Sequence, residues 1–152
     1  MEFNSGRVFL FRVPEGEELV TFITKFAEEK GIKAAVVSAI GSLKSPRIGY
    51  FDEERGEYKI IKLEGTYELV SLMGNISLKE GGPFAHLHAA LGDSEGRLYG
   101  GHLFEGEVFV AEVFVQELIG EPLERKPRKN GLSLWDAITR RTPGNLSLQP
   151  SP

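Results

Sequence analysis

The window from Phe84 to Phe104 constrains this chain more than any other, because it reads as strand, turn, strand and carries all three histidines. Phe84 to Leu91 is a short apolar run, Gly92-Asp93-Ser94-Glu95-Gly96 is turn chemistry, and Arg97 to Phe104 returns as a second extended run. Residues two apart in a strand share a face, so His86 and His88 present their imidazoles on one side of a sheet. Whether His102 joins them depends on register. A loop of residues 93–97 sets His88 opposite His102, with Cβ atoms roughly 5 Å apart. A loop of residues 93–96 pairs His88 with Gly101 and turns His102 to the far face, since a one-residue slip flips every side chain. In that second case a bulge at Gly100-Gly101 would restore the geometry.

Three imidazoles on one face point to a metal. Neutral ring nitrogens with a free fourth position suit Zn²⁺ best, while Ni²⁺, Cu²⁺, Co²⁺ and Fe²⁺ accept the same donors. The competing reading is that the histidines are hydrogen-bonded structural side chains. The chain has no cysteine, which excludes disulfides, thiolate ligands and a cysteine nucleophile. Glu68, Glu105 and Glu80 are the carboxylates considered as a fourth ligand or as partners of a ligating imidazole, and spacing compels none of them.

At 152 residues, 41% of them hydrophobic and 26% charged, the chain is long enough for one domain with a substantial core. No apolar stretch approaches the roughly 18 residues that span a bilayer, and Met1-Glu2-Phe3-Asn4-Ser5 lacks the pattern of a signal peptide, so a cytoplasmic location is expected. The 19 glutamates against 3 aspartates, with few Asn, Gln and Met, fit a heat-adapted source. A net charge of −4 argues against a surface built wholly for nucleic acid. The densest basic run, Arg125-Lys126-Pro127-Arg128-Lys129, reads as a solvated charged loop, and Arg140-Arg141 is a smaller candidate patch.

Elsewhere, Gly6 to Val13 alternates as a strand. Leu19, Val20, Phe22, Ile23, Phe26 and Ala27 then fall on one face of a helix that starts at Glu17-Glu18 and ends at Gly31. Extended runs are expected over Lys33–Ile40, Pro46–Phe51, Glu57–Leu63 and Thr66–Leu78. Val108 to Leu118 is nearly continuously apolar, which suits a strand buried on both faces or at a subunit contact. The whole is an α+β domain: a largely antiparallel mixed β-sheet with one main helix near the N-terminus. Residues 1–130 form this domain. Residues 131–152 form a C-terminal arm or short helix plus an extended tail, either frayed or docked on a neighbouring subunit.

Between Gly6 and Leu118 the chain resembles a stand-alone plant- and prokaryote-conserved (PPC) domain of the prokaryotic type. The resemblance rests on Ser38-Ala39-Ile40-Gly41-Ser42-Leu43, Gly49-Tyr50-Phe51, the block Tyr67 to Ser77, and Gly82-Pro83-Phe84-Ala85-His86-Leu87-His88 closing with Gly100-Gly101-His102. It implies His86, His88 and His102 as metal ligands and a homotrimer in which Val108–Leu118 is a candidate contact. Plant members of the family bind DNA through added AT-hooks. Lys126-Pro127-Arg128 only echoes that motif, without its Arg-Gly-Arg core, so a DNA-associated scaffold is the alternative function. The ligand pattern is also similar to that of acetolactate decarboxylase. That likeness implies a small anionic ligand, Glu68 as the candidate general acid or base, and Arg97 or Arg47 as its anchor. No particular reaction follows from it. A third reading is an interaction module whose trimer presents its glycine-rich loops to another protein.

Overall fold

The computed structural model describes residues 1–138 and the backbone of 139–140 and 146–149. The element order is β1 (Asn4–Val13), α1 (Leu19–Lys30), β2 (Ala35–Asp52), β3 (Glu57–Lys62), β4 (Thr66–Lys79), β5 (Gly82–Gly92), β6 (Leu98–Ile119), β7 (Glu124–Pro127), β8 (Ser133–Leu134), β9 (Ala137–Arg140) and β10 (Leu146–Gln149). β2 pairs with both β4 and β6, and β5 also pairs with both, so the four strands close on one another around the core. β1 lies along β6, β3 lies along β2, and β7 adds to β4 in parallel, which makes the otherwise antiparallel sheet mixed. None of the helices among the described residues is long and apolar enough to cross a membrane.

The helix closes one side of the core. Leu19, Ile23 and Ala27 are fully buried, at the i, i+4, i+8 spacing that makes one stripe. Phe22 and Phe26 extend the stripe to Phe11, with ring centroids 6.2 and 4.5 Å away. Glu18 was expected inside the first turn, but it is the N-cap. Its carboxylate accepts from the amides of Val20 and Thr21 at 2.9 and 2.7 Å, and from Gly106 on β6 at 3.2 Å. One carboxylate therefore both starts the helix and ties it to the sheet. Gly31, at φ 66°, ends it in the left-handed conformation that glycine adopts without strain.

Two pairs of runs expected as separate segments are single strands. Lys33–Ile40 and Pro46–Phe51 belong to β2, which bends at irregularities between Ser42 and Ile48 and does not break. Arg97–Phe104, apart from Arg97 itself, and Val108–Leu118 belong to the 22-residue β6. The Val108–Leu118 half is flanked on both edges, by β2 and β1, and is not a sheet edge. Within one chain it is buried on one face only: Val108, Ala111, Val113 and Val115 enter the core, while Phe109 and Val110 remain exposed.

The described residues of the C-terminal region form strands where an arm or a short helix was expected, and residues 141–145 and 150–152 of the expected tail lie outside the described residues. β7 and β8 make a hairpin in register Lys126 opposite Leu134, and β9 pairs with β10. The expected solvated basic loop is therefore half wrong. As a strand, β7 alternates, so Lys126 faces outward while Arg125 is 5% exposed; Lys129, past the end of the strand, is also exposed. The Arg128 side chain is largely covered and bonds Asp136 at 2.6 Å. Of the Arg140-Arg141 pair, Arg141 lies outside the described residues.

Candidate metal centre

Along β5, Ala85, Leu87 and Ala89 enter the core, so His86 and His88 stand on the opposite face. His88 is directly opposite His102, and Gly92 opposite Leu98, with no shift between them. The register is set by the loop of residues 93–97, without a bulge at Gly100-Gly101. Asp93 holds that loop: its Oδ1 accepts from the amides of Glu95 and Arg97, both at 2.9 Å, and its own N–H donates to the Arg97 carbonyl at 3.0 Å. One potential ligand atom from each of His86, His88 and His102 falls within 4.8 Å of the others.

Glycines make room for the walls. A Cβ on Gly49, across β2 from His102, would sit 2.4 Å from the Phe104 ring and 3.0 Å from Tyr58. Its absence lets both aromatics lie over the strand, with their centroids 4.6 and 5.1 Å from the His102 ring. A Cβ on Gly101 would meet the Gly49 carbonyl at 2.6 Å, so the two glycines together permit close approach of β2 and β6 at the site. The resulting cavity of about 440 Å³ is bounded by Tyr58, Phe84, Phe104 and Leu134. Among the described residues, Lys79 and Arg125 line it and no carboxylate does.

Burial, reinforced by nearby Arg125 and the neighbouring imidazoles, pushes His86 down to about 4. Burial, then His88 and Arg125, does the same to His102. Both rings are neutral at pH 7 and keep a lone pair for a metal. Nδ1 of His102 is buried and has no hydrogen-bond partner among the described residues. An unsatisfied buried nitrogen costs free energy that a ligand bond would recover. Three imidazoles, no sulfur and no carboxylate fit a borderline divalent cation with a free position for water or an anion. Bound there, such a cation would supply Lewis acidity or an activated water.

The family model of the Plants and Prokaryotes Conserved (PCC) domain matches residues 1–119. The chain belongs to this family. A PPC protein of Pyrococcus horikoshii is 59% identical, over 91% of this chain and 97% of that one, with a TM-score of 0.90. A metal-containing protein of Archaeoglobus fulgidus is 50% identical over 88% and 96%, with a TM-score of 0.85. A protein of Bacteroides thetaiotaomicron described as DNA-binding is 25% identical over 88% and 96%, with a TM-score of 0.79. The bifunctional protein GlmU of Synechococcus is 32% identical over 100 residues, 65% of this chain, and the match spans only 15% of that relative's length.

The other side chains singled out in this PCC-domain chain lie elsewhere. Glu68 is exposed and opposite Gly92, five residues along β4 from the His88 rung at Met73, or roughly 17 Å. Glu105 pairs with Arg47 at 3.2 Å, and Glu80, at φ 54°, forms the exposed turn between β4 and β5. Arg97 is engaged by Asp93 at 2.8 Å. None of the five lines the cavity.

The arginine that does line it comes from the basic run set aside as solvated. Arg125 Nε donates to Ser77 Oγ at 2.7 Å, one terminal nitrogen to the Ser133 carbonyl at 3.1 Å, and the other to Asn75 Oδ1 at 3.1 Å and His86 Nδ1 at 3.2 Å. Its guanidinium stacks on Trp135 at 4.4 Å and Phe84 at 5.3 Å. The signal that could have found it was the alternation of a short strand across Glu124–Pro127. Adjacent prolines, at 122 and 127, obscured that signal.

Proposed function

We propose that this protein is a homotrimeric metal protein in which His86, His88 and His102 hold one divalent cation, zinc by preference, beside a pocket for a small anionic ligand. The observation that carries this reading is the cluster of three imidazoles, two of them held neutral, in a cavity that the described residues line with cations and with no carboxylate. Its likeness to the metal-containing Archaeoglobus protein supports it. The trimer is supported by the outer sheet face, where Leu10 is 77%, Ile40 57% and Met73 56% exposed. Met73 is the β4 neighbour of His88, so that apolar face runs up to the site.

Metal content of the untagged protein, measured by plasma mass spectrometry after dialysis against zinc, tests the centre. About one zinc per wild-type chain, and none in His88→Ala, is the expected result. No metal in either would reject it. Light scattering on the same samples should return three times the 16.8 kDa chain mass.

A DNA-binding reading draws on the likeness to the Bacteroides protein. Against it, two of the four cations in the Arg125–Lys129 run are turned inward or paired and cannot meet phosphates. Anisotropy titrations of duplex DNA at two salt concentrations decide it: tight, steeply salt-dependent binding would move this reading to the front.

A further inference from the structure

Arg125 is a cation buried without an anion. A guanidinium has five N–H donors and no acceptor. Four are spent, all on neutral acceptors: Ser77 Oγ, the Ser133 carbonyl, Asn75 Oδ1 and His86 Nδ1. None of the described residues gives it a carboxylate, although the residue is only 5% exposed. Burial of an uncompensated charge is costly, and the stacking on Trp135 and Phe84 offsets only part of that cost. The cavity shows where the missing charge belongs. Arg125 lines it together with Lys79, whose ammonium sits 5.4 Å from the centroid of the Phe84 ring, and the three imidazoles complete a surface to which the described residues bring no negative group.

We propose that Arg125 is the specificity-determining residue of the pocket and that its counterion is the carboxylate of a small organic acid placed against the three histidines. This rests on reading the cavity as a ligand site. In the metal-free chain one unspent N–H gives a single charge-assisted hydrogen bond, enough to orient a carboxylate. The apolar walls of Tyr58, Phe104 and Leu134 accept an organic body, which inorganic phosphate lacks. Metal and anchor are coupled through one ring. In neutral His86, Nδ1 accepts from Arg125 and the proton is on Nε2. Donating Nε2 to a metal places the proton on Nδ1 and releases the Arg125 N–H, which gives the carboxylate a second donor.

The chain's single tryptophan, Trp135, stacks on the guanidinium and reports on it whether or not metal is bound. Wild-type protein, metal-free and zinc-loaded, is titrated at constant ionic strength with acetate, oxalate and inorganic phosphate while its fluorescence is followed. Arg125→Lys, Arg125→Met, Lys79→Ala and the outward-facing Lys126→Ala are run beside it, each checked for cooperative thermal unfolding. We expect saturable binding of the carboxylates, at least tenfold tighter with zinc. It should weaken at least tenfold in Arg125→Lys, a few-fold in Lys79→Ala and not at all in Lys126→Ala. If Arg125→Met fails to fold, Arg125→Lys, which keeps the charge and loses the fork, carries the decision. No saturable response in wild type, an Arg125→Lys titration equal to wild type, or phosphate binding as tightly as oxalate would each overturn the inference. Zinc content is read separately. Zinc bound without carboxylate rejects the anchor alone, and carboxylate bound to a chain that takes up no zinc rejects the metal centre alone.

Discussion

The histidine hairpin and the β7–β8 arm meet at one cavity but come to it by different routes. In the hairpin, five loop residues and strand alternation decide which side chains share a face, and the partners are sixteen residues apart or fewer. In the arm, Arg125 reaches Ser77 and Asn75 forty-eight and fifty residues away, and Trp135 across its own turn. Geometry set by short-range pairing can be narrowed to a few registers from spacing. Geometry set by docking of a late segment on an earlier strand cannot.

The largest effect that would break this comparison is deletion of Glu95. Shortening the loop to four residues should slip the register, turn His102 into the core face and abolish zinc uptake, with loss of the cooperative unfolding transition. Retained zinc would show that the loop does not set the register. Next is Gly49→Ala, which drives a methyl into Phe104. About 2 kcal/mol of destabilisation in denaturant titrations is expected, together with weaker zinc binding because His102 loses its aromatic wall.

On the arm, Trp135→Ala should cost about 2 kcal/mol through the lost stacking on a desolvated guanidinium, with zinc content unchanged. A fall in zinc content would mean the arm builds the centre as well as the pocket. A smaller, pH-dependent effect separates the regions again. The folded chain holds His86 and His102 at about 4, below the ordinary 6.5, so between those values the unfolded chain binds more protons. Metal-free protein should therefore be at full stability above pH 6.5 and lose stability as pH falls toward 4, and the double variant His86→Asn/His102→Asn should flatten that slope. Smallest of all, Lys126→Ala should stay within about 0.5 kcal/mol of wild type, since its side chain faces solvent.

The sequence carried the helix, because a stripe at Leu19, Ile23 and Ala27 has one periodic solution and Gly31 ends it. It also narrowed His102 to two registers. It did not show that Glu18 caps the helix while bonding Gly106, that Gly49 is a recess for two rings, or that the acids near the histidines point elsewhere. Each of those depends on residues far apart in the chain.

By itself, then, the order of residues determined the face on which His86 and His88 stand and the strand-rich class of the fold, since both follow from alternation along single elements. Only the tertiary structure decided that His102 completes the cluster, that the pocket has cations and no carboxylate, and that Arg125 leaves the surface. The loop of residues 93–97 selects the register that brings in His102, closure of β2, β4, β5 and β6 on one another fixes the rest, and local periodicity carries no information about which strands will meet.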